Sequence, residues 1–204
     1  MQKIRAIGAT LLLCLTLAGP GHAGVARGAS MAVGEQTTQP IGHHLLCIEL
    51  PKECEAQRAA TFVHPVPLTK ALMQTVASIN VATNAAIKAA SDRDLYGVEE
   101  RWTYPTDRGD CEDYALLKRR LLHAAGIAYS NLLMTVVKKP DGEGHAILTL
   151  RTSQGDFVLD NLNARVTPWT QVPYTFLKRQ SSLDPARWTA IEDGADVLVG
   201  AVAQ

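Results

Sequence analysis

Apolar and small residues recur at helical spacing in the segment that precedes residue 91. The periodic positions are Leu68, Leu72, Val76, Ile79, Thr83 and Ile87. Side chains three or four positions apart share one face of a helix, so this spacing predicts a long amphipathic helix that ends before Ser91-Asp92. Asn80 and Asn84 lie one turn apart on this helix. They could bond neighbouring loops, although a solvated face is the simpler expectation.

A second helical pattern follows Cys111. Its apolar positions are Tyr114, Leu117, Leu121, Leu122 and Ala125. Asp110 is a favourable N-cap residue, and Gly126 is suited to the position that ends a helix. The two signals predict a helix with Cys111 at its start.

Beyond Gly126 the pattern changes to short apolar runs bounded by turn residues. The predicted strands are residues 131–138, 145–151 and 156–160, with turns at 140–142 and 153–155. Strands joined by such short turns form an antiparallel β-meander. Because helices precede it, the sequence predicts an α+β domain in which N-terminal helices pack on that meander.

The C-terminal part has a weaker pattern. Residues 168–177 are predicted to form an extended segment that wraps the core, and Trp188 is predicted to close it. Residues 195–203 fit a helix and a strand equally well.

The N-terminus has the pattern of a secretory signal peptide over residues 1–23. Lys3 and Arg5 precede an apolar run over residues 7–18, and the small-x-small sequence 21–23 suits cleavage after Ala23. The run is too short to span a membrane. A buried helix is the alternative, and a lipidated Cys14 is disfavoured because no small residue precedes it. We therefore expect an exported protein, most simply in a bacterial periplasm.

The remaining chain is predicted to have one domain. Residues 24–40 are rich in Gly, Ala and Ser and are expected to form a flexible leader, so the domain is assigned to residues 41–204. The 204 residues are 47% hydrophobic and 20% charged, which is enough for one ordinary core. The formal net charge is zero and gives no support for a nucleic-acid partner.

Export changes the interpretation of the cysteines. Removal of Cys14 with the signal leaves Cys47, Cys54 and Cys111, an odd number in an oxidising compartment. Cys47 and Cys54 bracket a short segment and could pair, although two free thiols remain the alternative. Cys111 is then left over as a candidate nucleophile.

Cys111 has candidate partners in the second predicted hairpin. A helix N-terminus favours the thiolate, which is the reactive form of cysteine. His145 begins one predicted strand and Asp160 ends the next, with a two-residue offset that a bulge or a longer turn can absorb. Asp160 would then fix the tautomer of His145, whose other ring nitrogen would face Cys111. The other histidines of the mature chain, His43, His44, His64 and His123, have no comparable setting.

These motifs resemble those of the bacterial transglutaminase-like cysteine peptidases. The similar residues are the run Gly109 to Ala115, Lys118, the run Gly144 to Ala146 and the run Leu159 to Asn161. Similarity also covers the Cys47-to-Cys54 segment, the Asn80/Asn84 helix and the stretch from Leu95 to Pro105. The resemblance implies a transglutaminase/papain-like cysteine peptidase fold. It also implies that Cys111 is the nucleophile, His145 the general base and acid, and Asp160 the orienting residue.

The resemblance also implies a calcium site. In LapG-like members of this family the carboxylates that flank the cysteine bind Ca²⁺, and the matching residues are Asp110 and Glu112. Two anions beside a thiolate would raise its pKa, and a bound cation would cancel that penalty. The alternative is that Asp110 only caps the helix and Glu112 is a first-turn acid. Calcium takes six to eight oxygens, so carbonyls or Asp107 and Asp113 would have to complete the shell.

Partners and substrate follow only from the family. Its best-known members cleave a large surface adhesin and are restrained by an inner-membrane receptor for cyclic di-GMP, which implies a protein substrate and a role in biofilm attachment. The alternatives are a transglutaminase-like acyltransferase or amidase, which would share the catalytic residues, and a catalytically silent binding module. Intact Cys111, His145 and Asp160 argue against the last.

Overall fold

The structure is a computed structural model that describes residues 30–56 and 63–192. The predicted signal peptide, the first residues of the predicted leader and the ambiguous stretch 195–203 lie outside the described residues.

The α-helices of the described chain all end by Ala124, and most of its strands follow them. The helices are α1 (Ile41–Glu49), α2 (Lys70–Ala86), α3 (Asp92–Tyr96) and α4 (Cys111–Ala124). The strands are β1 (Val33–Thr37), β2 (Lys88–Ala89), β3 (Arg108–Gly109), β4 (Leu132–Lys138), β5 (Gly144–Thr152), β6 (Gly155–Leu159), β7 (Thr167–Pro168), β8 (Thr175–Gln180) and β9 (Trp188–Ile191).

Seven strands form one sheet in the order β1-β9-β8-β4-β5-β6-β7. Every neighbouring pair in this sheet is antiparallel. Helix α4 packs on β4 and β5, and α2 packs on α4. The predicted α+β fold, with helices on an antiparallel meander, is therefore confirmed.

Local signals explain where the two central helices begin and end. The Thr69 side chain accepts a hydrogen bond from the N–H of Leu72 and caps α2. Helix α2 ends at Ala86, before Ser91-Asp92 as predicted, and the chain then becomes extended and pairs as β2 with β3. Helix α4 begins at Cys111, as predicted, and the chain leaves it through Gly126, whose φ of 97° favours glycine.

Residues 24–40 are predicted to form a flexible leader, but this prediction is wrong for residues 33–40. Residues 33–37 form β1, which pairs with β9 at the edge of the sheet. Met31 is buried, and its N–H donates to a carboxylate oxygen of Asp156. Small and polar composition concealed a strand here, because an edge strand needs only its backbone to pair.

Helix α1 is joined to the residues that follow it by a disulfide between Cys47 and Cys54. Of the two alternatives left open by the sequence, pairing is the one in the structure. Cys111 is the free cysteine of the described residues.

Three aromatic rings meet beneath α1. Trp102 makes edge contacts with His43 and with Trp188, at ring-centroid distances of 5.4 Å and 6.1 Å. Gly42 lies directly against this cluster, and a Cβ atom at that position would overlap the Trp102 indole. The close approach of α1 to Trp102 therefore requires glycine.

We expect Gly42→Ala to lower the free energy of unfolding by about 1–2 kcal/mol, because overlap with a buried indole outweighs the helix propensity gained. Urea unfolding of the two proteins measures the difference. Gly34→Ala is the matched control, since its Cβ would lie 3.6 Å from Glu192 Cγ, an ordinary contact. Equal stability of the two variants would contradict the expectation.

Candidate active site

Cys111 is the first residue of α4 and is partly buried. Its sulfur accepts a hydrogen bond from the N–H of Ala146 at 3.4 Å. The thiol donates to Oε2 of Glu112 at 3.1 Å. Burial raises the pKa of this thiol well above its usual range, and the negative charge of Glu112 adds to the rise. These two effects favour the thiol, whereas the N-terminus of α4 favours the thiolate.

His145 and Asp160 are in direct contact. Nε2 of His145 lies 2.9 Å from Oδ1 of Asp160, and both residues are buried. His145 is the second residue of β5, and Asp160 directly follows β6. The contact leaves Nδ1 of His145 as the ring nitrogen for another partner.

The strand register explains how these two side chains meet. Leu148 pairs with Leu159, so the same register places Asp160 opposite Ile147. His145 is two residues from Ile147 and shares its face of the sheet, which makes His145 and Asp160 diagonal neighbours. The predicted contact is present. The two-residue offset between His145 and Asp160 is spanned by their side chains, and the register of β5 and β6 is regular.

The loop after Asp160 is held by α2. Asn84 Nδ2 donates to the backbone oxygen of Asp160 at 2.9 Å. Asn80 Nδ2 donates to the backbone oxygens of Asn163 and Ala164. Asn80 is fully buried, so the expectation of a solvated face is wrong for it and the loop contact is the correct alternative. The two asparagines fix the backbone that carries Asp160.

Cys111 and His145 line the same open pocket. The other lining residues are Pro40, Glu100, Trp102, Glu112, Val136, Gly144 and Ala146. The indole N–H of Trp102 donates to Oε1 of Glu100 at 2.7 Å. Trp102 thus both lines the pocket and belongs to the hydrophobic core.

A cluster of carboxylates lies beside the N-terminus of α4. Oxygens of Asp92, Asp110 and Asp113 lie within 4.8 Å of one another. Each of the three has one buried carboxylate oxygen that lacks a hydrogen-bond partner in the described part of the chain. Asp110 occupies the N-cap position of α4 but makes no side-chain capping bond. Its role as a simple helix cap is therefore not supported.

Burial and mutual repulsion keep these carboxyl groups weakly acidic. Burial raises the pKa of Asp92 to about 6 and that of Asp113 to about 7, and the charge of Asp110 adds to both. Burial also raises the pKa of Asp110 and of Glu112. Oxygen ligands with unsatisfied lone pairs and a high local negative charge suit a hard divalent cation.

The cluster differs from the predicted set of ligands. Asp110 belongs to it, and Asp113 was named as a possible further ligand. The Glu112 carboxylate instead accepts a hydrogen bond from the Cys111 thiol. Asp107, the other residue considered, bonds its neighbour Thr106 at an exposed position. Asp92 was missed because its position at the start of α3 carried no sequence signal beyond helix capping.

Lys118 lies on α4 two turns after Cys111 and is fully buried. Its ammonium nitrogen has no hydrogen-bond partner within the described residues and lies 5.9 Å from the centre of the Tyr114 ring. Burial lowers the pKa of Lys118 to about 7, and the negative charge of Asp160 opposes that change. Lys118 is thus a buried amine on the side of α4 that faces Asp160.

The fold agrees with comparisons with known proteins. A family model described as bacterial transglutaminase-like cysteine proteinase BTLCP matches residues 33–196. Calcium-bound LapG of Legionella pneumophila is similar in structure, with 19% identity and a TM-score of 0.50 over 61% of this chain and 72% of that chain. EGTA-treated LapG of the same organism has 19% identity and a TM-score of 0.48 over 54% and 64%. A search of curated protein sequences finds no match. At such low identity the structural likeness shows the fold alone.

We expect Lys118→Met to remove a pH dependence of stability. Between pH 7 and about 10, Lys118 is protonated in the unfolded wild type and deprotonated in the folded wild type. The contribution of this group to the free energy of unfolding of the wild type therefore rises with pH. Below pH 7 both states hold the proton and the burial penalty is fully present. The stability advantage of Lys118→Met should therefore narrow from pH 7 to pH 9, by up to about 1.4 kcal/mol per pH unit.

Urea unfolding at several pH values measures that difference. Lys139→Met is the control, because the ammonium of Lys139 lies on an exposed turn beside Asp141 and Glu143 and titrates above this window. A gap between Lys118→Met and wild type that stays constant from pH 7 to pH 9 would show that the ammonium carries no burial penalty.

Proposed function

Because the chain belongs to the bacterial transglutaminase-like cysteine proteinases, we propose that it is an exported endopeptidase whose nucleophile is Cys111. His145 is its general base and acid, and Asp160 orients His145. The family makes the chain a cysteine peptidase. The assignment of the three residues is our proposal.

The observation that carries this assignment is the buried contact between His145 and Asp160 beside the pocket of Cys111. Nε2 of His145 is hydrogen-bonded to Oδ1 of Asp160 at 2.9 Å. Nδ1 is therefore the nitrogen that can exchange a proton with Cys111. Cys111 and His145 face one pocket that is open to a substrate. A nucleophile, a base and an orienting acid in this relation are the parts that acyl transfer requires.

Acylation begins when the Cys111 proton passes to Nδ1 of His145. The sulfur then attacks the carbonyl carbon of the scissile peptide, and the carbonyl oxygen becomes an oxyanion. The backbone N–H of Cys111, at the N-terminus of α4, is the donor that we assign to this oxyanion. His145 gives the proton to the departing amine, the C–N bond breaks and a thioester remains.

Deacylation uses the same groups in reverse. His145 takes a proton from water, the resulting hydroxide attacks the thioester carbon, and the C–S bond breaks. Carboxylic acid is released, and the proton held by His145 returns to the sulfur. Asp160 remains ionised throughout and holds the imidazole in one tautomer.

The residues at the start of α4 fit a calcium ion. Buried oxygens of Asp92, Asp110 and Asp113, which lack hydrogen-bond partners among the described residues, would hold it. Glu112, the second ligand that the family resemblance implies, lies beside Asp110. A bound Ca²⁺ would supply positive charge that offsets the repulsion among these groups beside the thiol. Calcium dependence is therefore part of the proposed function.

The proposed substrate is a protein that meets the enzyme after export. The signal-peptide pattern supports a periplasmic location, and no helix within residues 30–56 and 63–192 has the length and apolar character to cross a membrane. A large surface adhesin is the substrate that we propose, with an inner-membrane cyclic di-GMP receptor as regulator. Both rest on the family resemblance alone.

We expect the mature protein to cleave an unstructured, alanine-rich polypeptide, and Cys111→Ala to abolish cleavage because it removes the nucleophile. Asp160→Ala should lower kcat by about 10³-fold, since it removes the acceptor that fixes the tautomer and orientation of His145. Mass spectrometry of the products measures cleavage and identifies the bonds broken.

His44→Ala is the control for this experiment, because His44 is an exposed histidine of α1. It should cleave at the wild-type rate. Amine incorporation without cleavage would contradict the peptidase assignment in favour of an acyltransferase, and full activity of Cys111→Ala would contradict the choice of nucleophile.

We expect Ca²⁺ at 100 times its dissociation constant to raise the thermal unfolding midpoint at pH 8 by about 5–10 °C, because a ligand of the folded state stabilises it by mass action. Asp110→Asn should lose this rise. In chelator, the same variant should unfold at a higher temperature than wild type, since it has one buried negative charge fewer.

Asp141→Asn is the matched control, since Asp141 is an acid of the exposed turn that bonds Lys139. It should keep the full response to Ca²⁺. An equal rise in wild type and Asp110→Asn would place the ion elsewhere, and no rise in wild type would contradict the calcium site.

A further inference from the structure

Both carboxylate oxygens of Asp160 accept hydrogen bonds. Oδ1 accepts from Nε2 of His145 and from the N–H of Leu162, each at 2.9 Å. Oδ2 accepts from the hydroxyl of Tyr174 at 2.7 Å. Tyr174 is therefore the side chain that holds the carboxylate oxygen turned away from His145.

Tyr174 also contacts His145 directly. The two rings meet edge to face, with centroids 5.7 Å apart and an angle of 71° between their planes. Tyr174 immediately precedes β8, which begins at Thr175 and lies against β4 at the centre of the sheet. Its backbone is thus anchored by a strand that carries none of the three proposed catalytic residues.

We propose that Tyr174 is a positioning residue of the peptidase, whose hydroxyl orients the Asp160 carboxylate and whose ring restrains the His145 imidazole. This inference rests on the proposed function, since it deepens the role given there to Asp160. Tyr174 does not touch the scissile bond in this proposal and acts through Asp160.

The geometry explains why a second donor is needed. A carboxylate held through Oδ1 alone can still rotate about its Cβ–Cγ bond, and the direction of the bond to His145 would change with that rotation. A donor on Oδ2 fixes the plane of the carboxylate and therefore the orientation of the imidazole.

The charge balance around Asp160 supports the same role. Burial would raise the pKa of Asp160, but hydrogen bonds from His145 and Tyr174 hold that pKa below its ordinary value. The titratable groups that face this carboxylate are His145 of β5, Tyr174 before β8 and Lys118 of α4. Tyr174 contributes a neutral donor and adds no charge to this set.

The test compares Tyr174→Phe with wild type in two backgrounds. The phenylalanine keeps the ring against His145 and removes the hydroxyl from Asp160. We expect kcat for the test polypeptide to fall about tenfold with KM unchanged, the effect of losing one hydrogen bond to a charged group. The rate of Cys111 alkylation by iodoacetamide at pH 7 should fall about fivefold to tenfold.

In the Asp160→Ala background, Tyr174→Phe should change the alkylation rate by less than about twofold, because residues that act as a unit are not additive. An equal fold loss in both backgrounds would show a merely structural role and overturn the proposal. So would an unchanged alkylation rate of Tyr174→Phe in the otherwise wild-type protein, or a change in KM alone.

Tyr129→Phe is the matched control. Tyr129 is also a partly buried tyrosine that contacts a histidine, with its ring stacked on His123 at 3.7 Å. Its substitution should leave both rates within about twofold of wild type. Alkylation does not require proteolysis, so a wild type that cleaves nothing would refute the proposed function while the alkylation rates still decide the role of Tyr174.

Discussion

Asp160 is the residue on which the proposed site depends, because three separate parts of the fold reach it. Its carboxylate accepts hydrogen bonds from His145 of β5 and from Tyr174, which directly precedes β8. Its backbone oxygen accepts a hydrogen bond from Asn84 of α2. A single buried residue thus fixes the positions of β5, α2 and the segment before β8 with respect to one another. Because buried polar groups are costly unless they are paired, each of these contacts also stabilises the others.

Around the N-terminus of α4, in contrast, buried carboxylates lack donors for some of their oxygens among the described residues. Asp92, Asp110 and Asp113 bring three carboxylates together with oxygens that no donor satisfies in the described part of the chain. Such an arrangement is unfavourable for folding by itself, and the positive end of the helix dipole offsets only part of it. Clusters that weaken a fold in this way are retained where a ligand or a reaction needs them, which is why we assign the calcium ion to this cluster.

The part of the fold that follows from hydrophobic spacing could be predicted. Helices α2 and α4 and the meander β4 to β6 have clear apolar periodicity, and the contact between His145 and Asp160 follows from a hairpin with the right turn. Strand β8 could not be found in this way, because its second half is Lys178-Arg179-Gln180. These polar side chains are buried, and each is satisfied by a distant partner: Thr38, Asp156 and Met134, respectively. No local pattern reveals a partner that is more than 20 residues away along the chain.

Asp92 and Tyr174 escaped prediction for the same physical reason. Each acts through a contact with a residue far away along the chain, and neither has a neighbouring motif that marks it.

The two acidic side chains that follow Cys111 on α4 point in different directions. Glu112 and Asp113 are adjacent in sequence, but successive helical positions point about 100° apart. Glu112 therefore lies against the Cys111 thiol, while Asp113 approaches Gly109, where only the absence of a side chain leaves room for its carboxylate. A rotation of about 100° about the helix axis thus separates the acid beside the nucleophile from the acid of the proposed cation site.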